Sequence, residues 1–161
     1  MVKGIFIPAD QEQDIELREY NSLDDYQLAV QGNIEAMDIN RPDATIFINE
    51  EGKLIDLDTN GRATLIMWVH LSRYRGMDII QGDVVIIGRP DPKGNTQDVP
   101  QELVDLLFNT ESYKIEFTTI QGSVKWIGKD SHIDNWTVAY MIGIRTAEGW
   151  AGVDEIRVLP V

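Results

Sequence analysis

The segment Ala44–Val69 decides the fold, and its sequence is ATIFINEEGKLIDLDTNGRATLIMWV. Its first half, Ala44–Leu57, contains two β-prone runs on either side of a short polar turn, in which Gly52 can adopt positive φ. This pattern predicts a β-hairpin. After a break at Asn60–Gly61, the pattern predicts a helix over Ala63–Tyr74 that is apolar on most sides, and such helices are normally buried. We therefore expect a central core helix packed against a β-sheet.

The residues before this segment predict short strands and one further helix. Gly4–Pro8 is an apolar run that ends at proline, and Ile15–Tyr20 alternates apolar and charged residues. Both patterns are typical of strands. Ser22 can cap a helix over Leu23–Val30, and Ile34–Ile39 is a further strand candidate. We place these elements in the same mixed domain as the core helix.

A change of composition marks the end of this domain. Ile79–Gly88 predicts one or two further strands, but Arg89–Asp98 contains two prolines and almost no apolar side chain, which is typical of a linker. Pro100–Phe108 then predicts a short amphipathic helix. An antiparallel β meander is predicted beyond it, with strands at Tyr113–Ile120, Ser123–Ile127, Trp136–Ile144 and Val153–Leu159.

The predicted fold class is therefore α+β, in three parts. A mixed domain with a buried central helix against a β-sheet occupies residues 1–88, and residues 89–111 form the linker and the short helix. Residues 112–161 form the C-terminal meander, which is marginal as an independent domain because a small sheet buries little apolar surface. We expect this extension to pack on the first part or on another chain.

Acidic side chains dominate the charge of the chain, and they are unevenly distributed. The formal net charge is −13 over 161 residues. Residues 1–60 hold 14 Asp or Glu against 4 Lys or Arg, a net of −10, whereas the remaining residues carry a net of −3. Direct binding to nucleic acid or to anionic membranes is disfavoured because both need a cationic surface. The charge suits a protein partner with a basic surface, or it maintains solubility.

The composition also limits the cellular compartments in which we expect this protein. The chain contains no cysteine, which excludes disulfides, thiolate catalysis and zinc-finger sites. The first ten residues lack the apolar run of a signal peptide, and no apolar stretch approaches the roughly 20 residues that span a bilayer. We therefore expect a cytoplasmic protein.

No metal-binding motif is complete. Asp56–Gly61 is similar to the start of an EF-hand calcium loop, but the last ligand position, which requires a bidentate Glu, is Met67. The two histidines, His70 and His132, are far apart and have no companion at metal-ligand spacing. We therefore expect no metal and no cofactor.

No catalytic motif is complete either. Ser72, Ser131, His132 and Asp134 could supply hydrolytic groups, but neither serine lies in the Gly-x-Ser-x-Gly motif of a nucleophile elbow. The glycines also lack the Lys-Ser or Lys-Thr of a phosphate loop. We assign no catalytic residue. This favours a non-enzymatic role without deciding the question, because catalytic residues need not be neighbours in sequence.

Three arginines near the core helix are candidate ligand-binding residues. Arg62 lies near its start, and Arg73 and Arg75 lie near its end. Guanidinium groups suit phosphate and other anions. The structural alternative is that they complement the helix dipole and pair with local acids.

Six further side chains are candidates for contact with a protein partner. They are Asp24, Asp25, Glu50, Glu51, Trp136 and Trp150. The acids belong to a predicted helix start and a predicted turn tip, where solvated side chains are the ordinary outcome. Tryptophan is enriched at binding hot spots, although aromatic residues on strands more often belong to the core.

Five motifs occur in order within the first 88 residues: Ile5–Asp10, Leu28–Ala36, Ile48–Leu54, Asn60–Thr64 and Gly82–Gly88. Together they resemble the DUF3846 family, a small domain of unknown function found in bacteriophages and actinobacteria. The resemblance covers a little over half of the chain and implies a phage or mobile-element accessory protein. It transfers no catalytic residue, and residues 89–161 have no counterpart in it.

These observations favour a non-enzymatic, phage-type accessory protein that binds a host protein in the host cytoplasm, as an inhibitor or a DNA mimic. The first alternative is a small-ligand or nucleotide-binding protein that uses the arginines near the core helix. The second alternative is a cryptic hydrolase. A homo-oligomer is compatible with each of these functions.

Overall fold

The computed structural model describes residues 1–119, 126–128 and 132–161. The described residues form four α-helices, a short 3₁₀ helix and two antiparallel sheets of five and three strands. This architecture confirms the α+β class with a C-terminal β meander. The chain divides into two units. Unit 1 contains residues 1–64 and 79–104, and unit 2 contains residues 65–78 and 105–161.

Unit 1 contains the five-stranded sheet. Its strands are β1 (Val2–Ile7), β2 (Glu16–Tyr20), β3 (Ile34–Ile39), β4 (Ala44–Asn49) and β5 (Val84–Ile87). They lie in the order β2-β1-β5-β4-β3 and all pairs are antiparallel. The central strand β5 is buried along its whole length, which suits its unbroken VVII sequence. The edge strands β2 and β3 instead carry exposed acids, which oppose pairing with another chain.

Helix α1 (Leu23–Val30) covers one face of this sheet. The strand register places Phe6 and Phe47 on either side of Val85, and Tyr26 of α1 packs in the same cluster. Burial of each such side chain contributes about 1.5–3 kcal/mol. This core fixes α1 against the middle of the sheet.

The predicted hairpin is wrong in its second strand. β4 pairs with β3 on one side and with β5 on the other, so neither edge of β4 is open to residues Lys53–Leu57. Residues 51–56 instead form turns, in which Leu54 is 83 % exposed. The local pattern could not show this because β5, one of the two competing strands, comes from a distant part of the chain.

Asn60 joins three segments of unit 1 at the start of α2 (Gly61–His70). Its Oδ1 accepts a hydrogen bond from the N–H of Ala63 at 3.0 Å, and its Nδ2 donates to the carbonyls of Ile7 and Gly82 at 2.9 Å each. The side chain is fully buried. Its amide is therefore satisfied as a helix cap, the role that asparagine suits at this position.

Unit 2 combines a three-stranded sheet with helices. Its elements are the second half of α2, the 3₁₀ helix Ser72–Tyr74, α3 (Gln101–Phe108, which begins in unit 1), β6 (Tyr113–Thr119), β7 (Ile127–Gly128), α4 (Trp136–Gly149) and β8 (Val153–Pro160). The strand order is β7-β6-β8, and α4 packs on β6 and β8. Gly143 allows a close approach here, because a Cβ at this position would lie 2.9 Å from Ile156 Cγ2.

The strand predicted over Trp136–Ile144 is wrong, because these residues begin α4. Asn135 caps this helix, and its Oδ1 accepts hydrogen bonds from the N–H groups of Thr137 and Val138. The buried residues recur at helical spacing. They are Trp136, Ala139, Tyr140, Gly143 and Ile144. The aromatic and β-branched composition indicated a strand, but packing of this face decides the structure.

The first and last strands of the predicted meander are confirmed as β6 and β8. Part of the prediction lies outside the described residues, namely Ile120 and most of Ser123–Ile127. Of the latter segment, Ile127 belongs to β7. No helix in the described part of the chain has the length and apolar character needed to cross a membrane.

Candidate functional site

Two neighbouring acids at the start of α1, Asp24 and Asp25, have different surroundings. The hydroxyl of Ser22 makes no cap hydrogen bond. Asp25 supplies the local contact instead, because its Oδ2 accepts a hydrogen bond from the N–H of Asn21 at 2.7 Å. The helix ends at Val30 and is capped by Gln31, which adopts a left-handed φ of 65°. Asp25 therefore helps to hold the helix, whereas Asp24 beside it is exposed.

The outer side of α1 carries apolar side chains that the core does not use. Leu23 is 55 % exposed and Leu28 is 77 % exposed. An open groove of about 580 Å³ runs along this flank of the helix. We call the side formed by five residues the α1 surface: Leu23, Asp24, Gln27, Leu28 and Gln31.

Glu50 and Glu51 lie at the opposite end of α1 from Asp24. Asn49 links their turn to the helix, since its Nδ2 donates to the carbonyl of Val30 at 3.0 Å and its Oδ1 accepts from the N–H of Glu51 at 2.8 Å. Both glutamates are exposed. An eight-residue helix is about 12 Å long, so these acids and Asp24 lie within the footprint of one protein partner.

An aromatic pocket lies at the start of α1. Tyr20 and Tyr26 stack with ring centroids 4.8 Å apart, and Phe47 meets Tyr26 edge-on at 4.9 Å. The cavity beside these rings has a volume of about 370 Å³, and Leu23 and Thr96 also line it. We call this cavity the tyrosine pocket. The sequence analysis missed it because the three rings come from β2, α1 and β4, and no local pattern brings these elements together.

Tyr20 is the unusual member of this pocket. Its side chain is only 4 % exposed, and its hydroxyl makes no hydrogen bond of good geometry among the described residues, although the Arg18 guanidinium lies close enough to lower its pKa against the larger effect of burial. Burial raises the pKa of Tyr20 to about 12. Gly4 makes room for the ring, because a Cβ at this position would lie 3.0 Å from Tyr20 Cε2. Nearby, Arg18 stacks 3.7 Å above the Phe6 ring.

Arg62, a predicted ligand-binding residue, is engaged by unit 1 itself. Its Nη2 donates to the carbonyls of Pro8 and Asp10 at 2.9 and 3.1 Å. Burial lowers the pKa of the guanidinium from its ordinary value. The side chain therefore fixes the segment that follows β1, and its remaining Nε is buried without a partner in the described structure.

Arg73 and Arg75 belong to unit 2, whereas Arg62 belongs to unit 1. The Nη2 of Arg75 donates to the carbonyl of Asp154 at 3.0 Å, and burial lowers the pKa of this guanidinium. Arg73 is exposed, and its guanidinium lies 5.1 Å from the centroid of the Tyr74 ring. The two arginines thus have different surroundings, one bound to β8 and one facing solvent.

The two candidate tryptophans also differ. Trp136 is buried in unit 2 and meets the Tyr140 ring edge-on, with centroids 5.3 Å apart. Trp150 is 39 % exposed and packs one edge near Phe117, with centroids 6.1 Å apart. Trp150, and not Trp136, is therefore accessible to a partner.

The histidines occupy two settings in unit 2. His70 is buried, and its Nε2 shares a 2.7 Å hydrogen bond with the hydroxyl of Tyr140. His132 is exposed, and its Nδ1 lies 3.5 Å from Ser112 Oγ, which is long for a hydrogen bond. Ser131 lies outside the described residues. For the hydrolase alternative, the serine beside His132 is therefore Ser112, which the sequence analysis did not consider, and the distance between the two side chains is long.

Among the described residues, no group of three His, Asp or Glu side chains is placed to hold a metal ion. Met67, at the position of the last EF-hand ligand, is fully buried. Asp56 and Asp58 are exposed, and the Asn60 that follows them caps α2. The similarity to a calcium loop is therefore explained by the start of a helix.

A family model described as Domain of unknown function (DUF3846) matches residues 2–112. The match covers more than half of the chain, so the protein belongs to this family. It extends beyond residues 1–88, where the motifs were recognised, and includes all of α3. No curated protein and no solved structure matches the chain.

Proposed function

We propose that this is a non-enzymatic binding protein whose α1 surface and Glu50–Glu51 turn contact a basic surface of another protein. The observation that supports this proposal is the concentration of negative charge in unit 1. Unit 1 holds 18 Asp or Glu against 7 Lys or Arg, a net of −11, whereas unit 2 holds 9 against 7, a net of −2. The acids are therefore not spread as solubility alone would require.

The exposed acids and leucines would act at different stages of binding. Acids on the rim of an interface attract a basic partner over several ångströms and raise the association rate. Leu23 and Leu28 offer apolar area that is removed from water once the partner has docked. The combination supports a protein partner over a small anion, which this charge would repel.

The resemblance to a family found in bacteriophages supports a host protein as the partner, in the host cytoplasm. A nucleic-acid-binding protein fits this proposal best, because its basic face already accepts closely spaced negative charges. Unit 1 would occupy that face as an inhibitor. The nucleotide-binding alternative has less support, since Arg62 and Arg75 donate to backbone carbonyls of their own units.

A charge reversal tests the proposal. We choose Asp24→Lys with Glu50→Lys, and leave Asp25 unchanged because its carboxylate binds the N–H of Asn21. The matched control is Glu111→Lys with Glu148→Lys, which makes the same change in net charge at exposed positions of unit 2. Wild type and both variants are used to capture partners from host lysate, and association rates with the captured protein are measured at about 0.01 M and about 0.15 M ionic strength.

We expect the unit 1 reversal to slow association about tenfold at low ionic strength, and the control to change it little. Association with wild type should slow steeply as salt is added. A rate that is independent of salt, or equal for the two reversals, contradicts the proposal.

A further inference from the structure

The tyrosine pocket adjoins the α1 surface, because Leu23 belongs to both. Its volume of about 370 Å³ falls in the range of about 300–1,000 Å³ that is usual for ligand pockets. The pocket lies entirely within unit 1 and opens beside the first turn of α1. An occupant of the pocket and a partner on the α1 surface would therefore be in contact, or be the same molecule.

The lining favours a flat apolar group. The rings of Tyr20, Tyr26 and Phe47 lie in the cavity wall, each only 4–7 % exposed, and aromatic rings prefer other rings in offset-stacked or edge-on contact. Ile34 and Val2 add aliphatic area to the same cavity. Because Tyr20 and Tyr26 already stack on each other at 4.8 Å, the occupant lies beside this pair and not between its members.

The surrounding charge favours a cationic neighbour of that group. Asp25 and Asp98 both lie close enough to the Tyr26 hydroxyl to raise its pKa, in addition to the larger effect of burial. Asp24 is exposed on the adjoining turn. Arg18, a nearby cation, also acts on the Tyr20 hydroxyl, but it is paired with Glu16 at 2.6 Å. A second copy of this chain is disfavoured as the occupant, because two units of net charge −11 repel each other.

We propose that the tyrosine pocket receives an aromatic side chain, flanked by lysine or arginine, from the partner protein. This inference rests on the proposed function, because it takes the partner to be basic. The aromatic side chain would be the buried anchor of the interface, with the acids of α1 and Asp98 around it as the polar rim. The unit thus selects a partner by an aromatic residue within a basic segment, and not by charge alone.

Three peptides test this inference against the intact protein. The first is acetyl-Lys-Lys-Trp-Lys-Lys-amide, the second replaces Trp by Ala, and the third replaces every Lys by Glu. Affinities are measured by calorimetry at low ionic strength, and the bound site is located from amide chemical-shift changes. We expect the Lys–Trp peptide to bind about tenfold more tightly than the Lys–Ala peptide, with shifts at Leu23 and Thr96.

A pair of leucine variants provides the matched control. Leu23→Ala trims the wall of the tyrosine pocket, and Leu28→Ala trims an exposed leucine of the same helix that does not line it. Both positions are exposed, so both variants should fold. We expect Leu23→Ala to reduce the preference for Trp over Ala to about twofold, and Leu28→Ala to leave the preference unchanged.

The outcomes separate this inference from the proposed function. Equal, salt-sensitive binding of the Lys–Trp and Lys–Ala peptides overturns the anchor but leaves the acidic surface as the binding site. Equal binding of the Glu–Trp and Lys–Trp peptides overturns the requirement for a cationic flank. Failure of both lysine peptides to bind overturns the inference together with the electrostatic basis of the proposed function.

Discussion

Tyr20 of unit 1 and Tyr140 of unit 2 are both buried, but their hydroxyl groups have different surroundings. In unit 2 the Tyr140 hydroxyl bonds to His70 at 2.7 Å, and the Tyr113 hydroxyl donates to the carbonyl of Leu106 at 2.6 Å. In unit 1 the Tyr20 hydroxyl makes no hydrogen bond of good geometry among the described residues and only has Arg18 nearby, whereas Tyr26 interacts with Thr96. An unpaired buried polar group costs about 1–3 kcal/mol, so unit 1 retains a feature that stability alone does not favour.

Charge differs between the units in the same direction. Unit 1 carries a net of −11 and unit 2 a net of −2, and repulsion among like charges also opposes folding. Unit 1 therefore combines an unsatisfied hydroxyl, exposed leucines on α1 and an excess of acids.

The largest expected effect concerns backbone packing. Gly88→Ala would place a Cβ 2.3 Å from the carbonyl oxygen of Asp98, a backbone atom that cannot rotate away. Gly143→Ala would place a Cβ 2.9 Å from Ile156 Cγ2, a side-chain atom that can move, and alanine favours the helix there. We expect losses in the free energy of unfolding of about 3 kcal/mol at Gly88 and about 1 kcal/mol or less at Gly143.

Urea unfolding measures both variants, and amide hydrogen exchange assigns the loss to a unit. The Gly88 variant should lose protection in β5, and the Gly143 variant should change protection mainly in α4. Comparable losses at the two glycines would contradict this prediction, because the backbone contact at Gly88 would then cost no more than the side-chain contact at Gly143.

A smaller effect is expected from removing single hydroxyl groups. Tyr140→Phe leaves the buried Nε2 of His70 without this hydrogen bond and should cost about 2 kcal/mol in the free energy of unfolding. Tyr20→Phe removes a hydroxyl that makes no hydrogen bond of good geometry among the described residues, and it should cost nothing or stabilise slightly. Equal losses in urea unfolding at neutral pH would mean that the Tyr20 hydroxyl is satisfied, and the contrast between the units would disappear.

The smallest expected effect is a pH dependence that belongs to Tyr20. Its pKa is about 12 in the folded protein against an ordinary value of 10.0, because burial disfavours the charged phenolate. Its contribution to stability is therefore fully present below about pH 10 and is lost as the pH rises through about 12. From about pH 9 to about pH 11 this amounts to about 1 kcal/mol.

The Tyr20→Phe variant isolates this contribution. Other groups titrate in both proteins, so the difference between their unfolding free energies carries the effect of Tyr20. We expect wild type to lose about 1 kcal/mol more than the variant over this range. Parallel losses in the two proteins would place the Tyr20 hydroxyl in water.

Most elements could be predicted from the sequence because their patterns are local. β1, β2, β3 and α1 follow from short apolar runs, alternation and first-turn acids, and each lies where it was expected. The strand predicted where α4 begins was wrong, although the buried residues of this segment recur at helical spacing and Asn135 can cap a helix. The prediction gave the β-prone composition of Trp136–Ile144 more weight than the helical spacing of its apolar residues.

The features that no local pattern contains could not be predicted. The pairing of β4 with β3 and β5 depends on a strand about 40 residues away, and the tyrosine pocket depends on the same sheet order. Asp24 and Asp25 are neighbours with different roles, which only the hydrogen bond from Asn21 distinguishes. The concentration of acids in the first part of the chain, by contrast, follows from the sequence alone, because net charge is a count of residues and depends on no contact.

The passage of α2 from unit 1 into unit 2 has a consequence for synthesis on the ribosome. His70 leaves the ribosome 70 residues before Tyr140, which at about 5–20 residues per second is a delay of about 4–14 s. Unit 1 is complete at residue 104, well before the strand β8 is made. The hydrogen bond between His70 and Tyr140 can therefore form only after residues beyond the family match, which ends at residue 112, have been made.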